Sequence, residues 1–250
     1  MRGLAFRLEG KTAFFKKPEV NSYVYMTYNN IHKVALLGLL GAIIGLDGYY
    51  EQYVYNKNNT SKLAYPEFYE KLNPLKVAIV PLSEKGSFTK KLQTFNNSVG
   101  YASKEEGGNL IVNEYWLEHP RWEIYLLSEN EALIDDIGQY ILNNQTVYTP
   151  YLGKNDHLAD INNSRTVEIN PAKTINQVNS LVPLKLIQCS NSRRGQANNA
   201  FLSKEALPYK MTPELNMYEN EIFAFTNQKI ESVKETTSFY EADNKVLYMF

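Results

Sequence analysis

The stretch Ile31-His32-Lys33-Val34-Ala35-Leu36-Leu37-Gly38-Leu39-Leu40-Gly41-Ala42-Ile43-Ile44-Gly45-Leu46 decides the fold. It holds the longest apolar run in the chain, Val34–Leu46, thirteen residues. A run that short cannot span a bilayer as one helix. Its length and composition predict a helix over 31–46. Asn29-Asn30 reads as the helix start, and Gly48 after Asp47 as its stop. Gly38, Gly41 and Gly45 follow one another by three and four residues and so share a face. Each costs about 1 kcal/mol against alanine inside a helix. Close packing against a flat partner would offset that cost, and a sheet is the expected partner.

Working outward, Gly3–Glu9 alternates like a strand, and a basic loop, Gly10–Pro18, follows it. Tyr23–Tyr28 reads as extended. Residues 49–74 are rich in Tyr, Asn and Lys, and Tyr49, Tyr50, Tyr53 and Tyr55 flank a loop or short helix. Leu75–Leu82 reads as a strand. Residues 83–109 are polar and end in Gly107-Gly108, too long for an ordinary connection. Ile111–Glu118 and Arg121–Leu127 read as two further strands around His119-Pro120. Ser128-Glu129-Asn130-Glu131 reads as a capping box opening a helix with Leu133, Ile137 and Ile141 on one face. The closing strand is expected at Leu181–Cys189, with Thr166–Asn170 as the alternative.

That order, β-α-β-(insertion)-β-β-α, predicts an α+β chain similar to a ferredoxin-like or RRM-type domain with an inserted β-hairpin over about 83–109. Residues 1–160 would form this domain. Residues 161–250 would form a small, mostly β C-terminal part that completes or flanks the sheet.

Composition removes several function classes. Apolar residues make up 44% and charged residues 21% of 250, which excludes whole-chain disorder. Cys189 is the only cysteine, so a disulfide scaffold and a cysteine metal cluster are excluded. His32, His119 and His157 are too widely spaced for a histidine-rich metal motif. No phosphate loop or nucleophile elbow occurs, and no cofactor is expected. With no secretory leader, the expected location is the cytoplasm, away from membranes.

The net charge of −1 hides an uneven distribution. Residues 1–104 carry fourteen Lys/Arg against seven Asp/Glu, and residues 105–250 carry twelve against twenty. A basic first part suits a polyanion, and an acidic second part suits a protein contact. Within the first part, cations interleave with aromatics: Lys11, Phe14, Phe15, Lys16, Lys17, Tyr23 and Tyr28 precede the glycine helix. Lys85, Phe88, Lys90, Lys91, Phe95 and Tyr101 repeat the pattern in the insertion. Cations that follow phosphates and rings that stack bases are what single-stranded nucleic acid requires. The competing reading places these rings in the core and the lysines on a solvated surface.

Two blocks carry a family resemblance. Phe6-Arg7-Leu8-Glu9-Gly10-Lys11-Thr12-Ala13-Phe14-Phe15-Lys16-Lys17-Pro18, then Thr27-Tyr28 and Ala35–Gly45, resemble the opening of the CRISPR-associated Cas-five family of the RAMP superfamily. Glu118-His119-Pro120-Arg121-Trp122-Glu123-Ile124-Tyr125-Leu126 and Pro150-Tyr151-Leu152-Gly153-Lys154 agree with it, most closely with type I-B members. The chain departs from the family at Lys16, where arginine is usual, and at Asn29-Asn30, where prolines often precede the helix.

The resemblance implies a non-catalytic, antiviral-defence subunit of a type I Cascade surveillance complex. Such a subunit holds the 5′ handle of the crRNA and caps the filament of backbone subunits. It contacts the large subunit and meets target DNA through the complex. The expected RNA contacts are Lys11, Phe14, Lys16, Lys17, Tyr28, His32 and Lys33, with Lys85, Lys90 and Lys91 along the hairpin, or thumb. The alternative is a metal-independent endoribonuclease processing CRISPR repeat RNA. Its candidate groups are His32, His119 and His157, with Tyr49, Lys33 and Lys154.

Overall fold

The computed structural model describes residues 1–19, 23–101, 104–190 and 199–250. In chain order the elements begin with β1 (Arg2–Glu9), β2 (Thr12–Ala13), α1 (Lys33–Ile44), α2 (Tyr49–Asn58) and α3 (Glu67–Leu72). Next come β3 (Lys76–Pro81), β4 (Lys90–Asn96), β5 (Ile111–Glu118), β6 (Arg121–Leu127) and α4 (Glu131–Leu142). The last part holds β7 (Asp160–Glu168), β8 (Asn170–Pro171), β9 (Val182–Pro183), β10 (Ile187–Cys189), β11 (Leu202–Met211) and β12 (Tyr218–Thr226). It ends with β13 (Ile230–Val233), β14 (Phe239–Ala242) and β15 (Lys245–Tyr248). The chain is α+β, and its strand pairs are antiparallel.

The central sheet runs β3-β6-β1-β7. With α1 after β1 and α4 after β6, the connection order is β-α-β-β-α-β. Register explains its two faces. Leu4, Phe6 and Leu8 of β1 lie opposite Leu126, Ile124 and Trp122 of β6, so all six point the same way. They are buried in one cluster with Leu36, Leu40 and Ile43 of α1 and Ile134, Ile137 and Ile141 of α4. The alternate residues Ala5, Ala78, Val80, Tyr125 and Leu127 form a second cluster with Tyr240, Ala242, Leu247 and Met249 of the β14–β15 hairpin. The sheet is therefore covered on both faces.

Four sequence expectations change. The closing strand is β7, not Leu181–Cys189, which holds only two short strands outside the central sheet. The alternative at 166–170 caught the end of β7. Ile111–Glu118 is not a sheet strand either. It pairs with β4 from Lys90↔Leu117 to Asn96↔Ile111 and forms the second arm of a hairpin. Both arms alternate, so pattern alone could not assign β5 to the hairpin rather than the sheet. Ala102 and Ser103, within the expected insertion, lie outside the described residues. Third, α4 is capped by Asn130, whose Oδ1 accepts from the Ala132 N–H at 3.1 Å, while Ser128 Oγ accepts from the Asn130 N–H.

The fourth change concerns the glycines. α1 ends at Gly45, whose φ of 81° lies in the left-handed region, and Gly48 begins α2 instead. Gly38 and Gly41 face Phe68 of α3 and not the sheet. A Cβ on Gly41 would stand 2.6 Å from the Phe68 Cβ, whereas one on Gly38 would stand 3.8 Å from the ring. The two substitutions therefore have opposite expected signs. Gly38→Ala should stabilise the fold by up to about 1 kcal/mol through helix propensity. Gly41→Ala should destabilise it by about 1–3 kcal/mol through overpacking. Urea unfolding of both variants measures this, and equal effects would disprove the α1–α3 contact.

Candidate nucleic-acid interface

The basic loop after β2 is held by backbone pairing. Lys16 bridges Thr27, Lys17 N–H donates to Met26 O at 2.8 Å, and Tyr28 N–H donates to Phe15 O at 2.9 Å. Thr27 Oγ1 accepts from the Phe15 N–H at 3.0 Å and donates to Tyr28 O at 2.9 Å. Tyr25 continues the pairing onto β5: its N–H donates to Asn113 O, and its carbonyl accepts from the Tyr115 N–H. The loop and the hairpin root are thus one hydrogen-bonded unit.

A cavity of about 860 Å³ opens beside this unit. Phe15, Lys16 and Tyr25 form one side, and Ala35, Gly38, Leu39 and Ala42 of α1 form another. Tyr49, Tyr148, Tyr151 and Tyr218 add aromatic walls, and Lys154 and Glu114 lie at the hairpin root. Lys16 is exposed, with its Nζ 3.9 Å from the Tyr25 ring centroid. Lys154 Nζ lies 5.6 Å from the Phe14 ring and 5.2 Å from the Phe95 ring. It also donates to both carboxylate oxygens of buried Glu114, at 3.1 and 3.2 Å, while Trp116 Nε1 donates to Glu114 at 2.7 Å. Glu114 is therefore neutralised in place, and among the described residues Lys16, at the rim, has no ion-pair partner. A cavity of this size with aromatic walls is an ordinary form of ligand site, and Asp47 and Glu51 add carboxylates at its far side.

The structure separates the expected contact residues. Lys16 lines the cavity. Phe14 lines it but is only 2% exposed, so its ring is packed, and Phe15 belongs to the core. Lys17 turns to the C-terminal part and meets Glu205 of β11 at 3.2 Å, with its Nζ 4.9 Å from the Tyr28 ring. The same Glu205 accepts from the Asn29 N–H with both oxygens at 2.9 Å. Tyr28 is buried, and its hydroxyl has no hydrogen-bond partner among the described residues. Burial, and secondarily Glu19, raises its pKa. Lys11 lies in a separate cavity of about 470 Å³ with His119, Arg121, Glu9 and Asp160. Lys33 lines neither of these.

Lys85 is exposed in the β3–β4 connection. Lys90 and Lys91 are exposed at the start of β4 and point to opposite faces. Burial lowers the pKa of Lys90, with Glu205 raising it and Lys17 lowering it further. Lys90 thus shares the surroundings of the Lys17–Glu205 pair. The sequence missed Tyr25, Tyr148 and Tyr218. The only signal for them was the count of nineteen tyrosines, which does not say where they converge.

The three histidines lie apart. His32 caps α1, its Nδ1 accepting from the Ala35 N–H at 3.2 Å, so the neutral ring carries its proton on Nε2. His119 has a left-handed φ of 46° in the turn before Pro120. His157 is buried under Trp116, with Nδ1 2.7 Å from Thr12 Oγ1. Among the described residues, no histidine is hydrogen-bonded to a carboxylate, lysine or tyrosine. Tyr49 donates to Met211 Sδ at 3.3 Å, and burial raises its pKa. No cluster of three or more metal-ligating side chains occurs among the described residues. No single described helix is long and apolar enough to cross a membrane.

No protein-family profile matches this sequence, and no curated protein matches it. Solved structures do. A chain of a CRISPR RNA-guided surveillance complex superposes with a TM-score of 0.52 at 11% identity, over 92% of this chain and 91% of that one. A CRISPR protein from Archaeoglobus fulgidus superposes at 0.47 and 12% identity, over 99% and 98%. This chain shares the fold of the first, nearly end to end.

Burial drives the His32 pKa down from 6.5 to about 3. As pH falls below 6.5, the unfolded chain takes up a proton that the folded ring refuses. Stability is therefore complete above that pH and declines toward acid, by up to about 1.4 kcal/mol per pH unit from this group. His157, lowered mainly by burial, acts in the same direction. His32→Asn keeps a capping side chain. It should flatten the acid limb by about that slope in urea unfolding between pH 6.5 and 4, whereas an unchanged limb would mean that His32 is protonated in the fold.

Proposed function

We propose that this chain is a non-catalytic RNA-binding subunit of a type I CRISPR surveillance complex, and that it holds the 5′ handle of the guide RNA. The observation that carries the reading is the tyrosine-walled cavity at the hairpin root, with Lys16 on its rim. The fold shared with a chain of a CRISPR RNA-guided surveillance complex supports it.

In this reading the central domain is ferredoxin-like, and β4–β5 is the thumb. RNA does not lie on the sheet as on an RRM, because the β14–β15 hairpin covers that face. It enters the cavity instead. Lys16 meets phosphate, and Tyr25, Tyr148 and Tyr151 offer faces to unstacked bases. Leu92 and Ile111, exposed at 48% and 56%, share one face of the hairpin and would press on the first backbone subunit. The acidic second part would meet the large subunit, and target DNA would be met through the assembled complex. Processing of the RNA falls to another protein.

The test is co-expression with neighbouring genes and a CRISPR array, followed by tagged purification and sequencing of the retained RNA. RNAs of one length sharing a 5′ repeat fragment are expected. Their absence, together with that of protein partners, would overturn the reading. Lys16→Ala should weaken RNA retention and reduce the slope of log affinity against log salt by about 0.7. Lys17→Ala should instead loosen the fold through Glu205 and leave that slope unchanged. Repeat-RNA cleavage by this chain alone in EDTA would establish the nuclease in place of the non-catalytic subunit.

A further inference from the structure

His32 and Lys33 are neighbours at the start of α1 but line different cavities. His32 lines the tyrosine-walled one. Lys33 lines a second, of about 210 Å³, with Lys185, Lys210 and Glu221 and aromatic walls that include Tyr209 and Phe250. Lys33 is 7% exposed, its ammonium opens to the cavity rather than being sealed from it, and among the described residues its side chain has no carboxylate within 4.0 Å. Its Nζ lies 5.9 Å from the Phe250 ring centroid. A lysine buried to that degree is ordinarily paired.

The other charges do not pair it. Glu221 is the one carboxylate lining the cavity, and it already holds Lys185 in an ion pair. Lys210 sits 5.2 Å over the Tyr209 ring, with no ion pair among the described residues. Among the lining side chains three cations face one anion; Glu219 stands opposite Lys210 in the β11–β12 ladder and Glu235 acts on Lys185, so the surplus sits mainly at Lys33 and Lys210, which have no ion pair among the described residues. A single carboxylate would neutralise one of them. A phosphate dianion would neutralise both and accept from several ammonium groups at once.

We propose that the cavity between α1, β11, β12 and the C-terminal residues is a binding site for a phosphate group, with Lys33 as its buried ligand and Lys210 and Lys185 at its mouth. The site is separate from the tyrosine-walled cavity and does not depend on the function proposed for it. Burial, with Lys210 nearby, lowers the Lys33 pKa to about 8, and a bound anion would oppose that shift.

The test is thermal unfolding and NMR titration of the full chain with inorganic phosphate, against chloride at matched ionic strength. Wild type should show a saturable rise in Tm with phosphate, because only the folded state holds the site. Lys33→Met should unfold at a higher temperature than wild type without phosphate, since it removes a buried unpaired charge, and should lose the response. Lys210→Gln, a surface change that keeps the fold, should weaken the phosphate affinity about tenfold or more. Parallel titrations with a 5′-mononucleotide and with a dinucleotide carrying only a phosphodiester separate a small phosphomonoester from a nucleic-acid backbone as the source. A rise equal to that in chloride, or an unaltered affinity in Lys210→Gln, would overturn the site.

Discussion

α1 has no polar face. Of its twelve residues only Lys33 is charged, and the rest are apolar or glycine. Such a helix is stable in water only when the chain covers it on nearly every side. The sheet covers one side, α3 closes on Gly41 through Phe68, α4 packs alongside, and β11 contacts it from the C-terminal part. The large cavity lies along Ala35, Gly38, Leu39 and Ala42 of the helix, where packing is least complete at half-buried Ala35, Gly38 and Ala42. The same demand that buries the helix therefore leaves a tyrosine-walled opening beside the basic loop.

The C-terminal part belongs to this arrangement at two places. β14 and β15 cover the sheet face that α1 and α4 leave open. Glu205 reaches across the chain to the Asn29 backbone and to Lys17, fixing the approach to α1. Lys17–Glu205, Arg2–Asp135 and Lys76–Glu129 all join a cation of the basic first part to a carboxylate of the acidic second. Part of the charge asymmetry along the chain is thus consumed inside the molecule. What remains outside, such as Lys16, is a smaller and more specific set than the raw imbalance suggests.

The hairpin root shows how a polar cluster can be silent and useful together. Glu114, Lys154 and Trp116 satisfy one another in a half-buried setting, which keeps a carboxylate beside the cavity without presenting its charge. His157 stands against Trp116 and bonds Thr12, which ties β5, the 151–158 segment and the start of the basic loop together.

Local chemistry in the sequence determined the helix at 33–44, the strands at 2–9, 76–81 and 121–127, the second helix, and the α+β class, because periodicity and capping residues act over a few neighbours. The basic-aromatic character of residues 11–28 was legible for the same reason. Tertiary structure alone decided that β7 closes the sheet and β5 does not join it, because β5 alternates much as a sheet strand does and partner choice is a long-range matter. It also decided which cations stay free: Lys16, Lys17 and Lys33 are near one another in sequence, yet one faces a cavity rim, one an ion pair and one a second cavity. Those fates depend on Glu205, Tyr25 and Phe250. Only packing of distant segments brings such partners within a few ångströms, and a one-dimensional pattern does not carry that information.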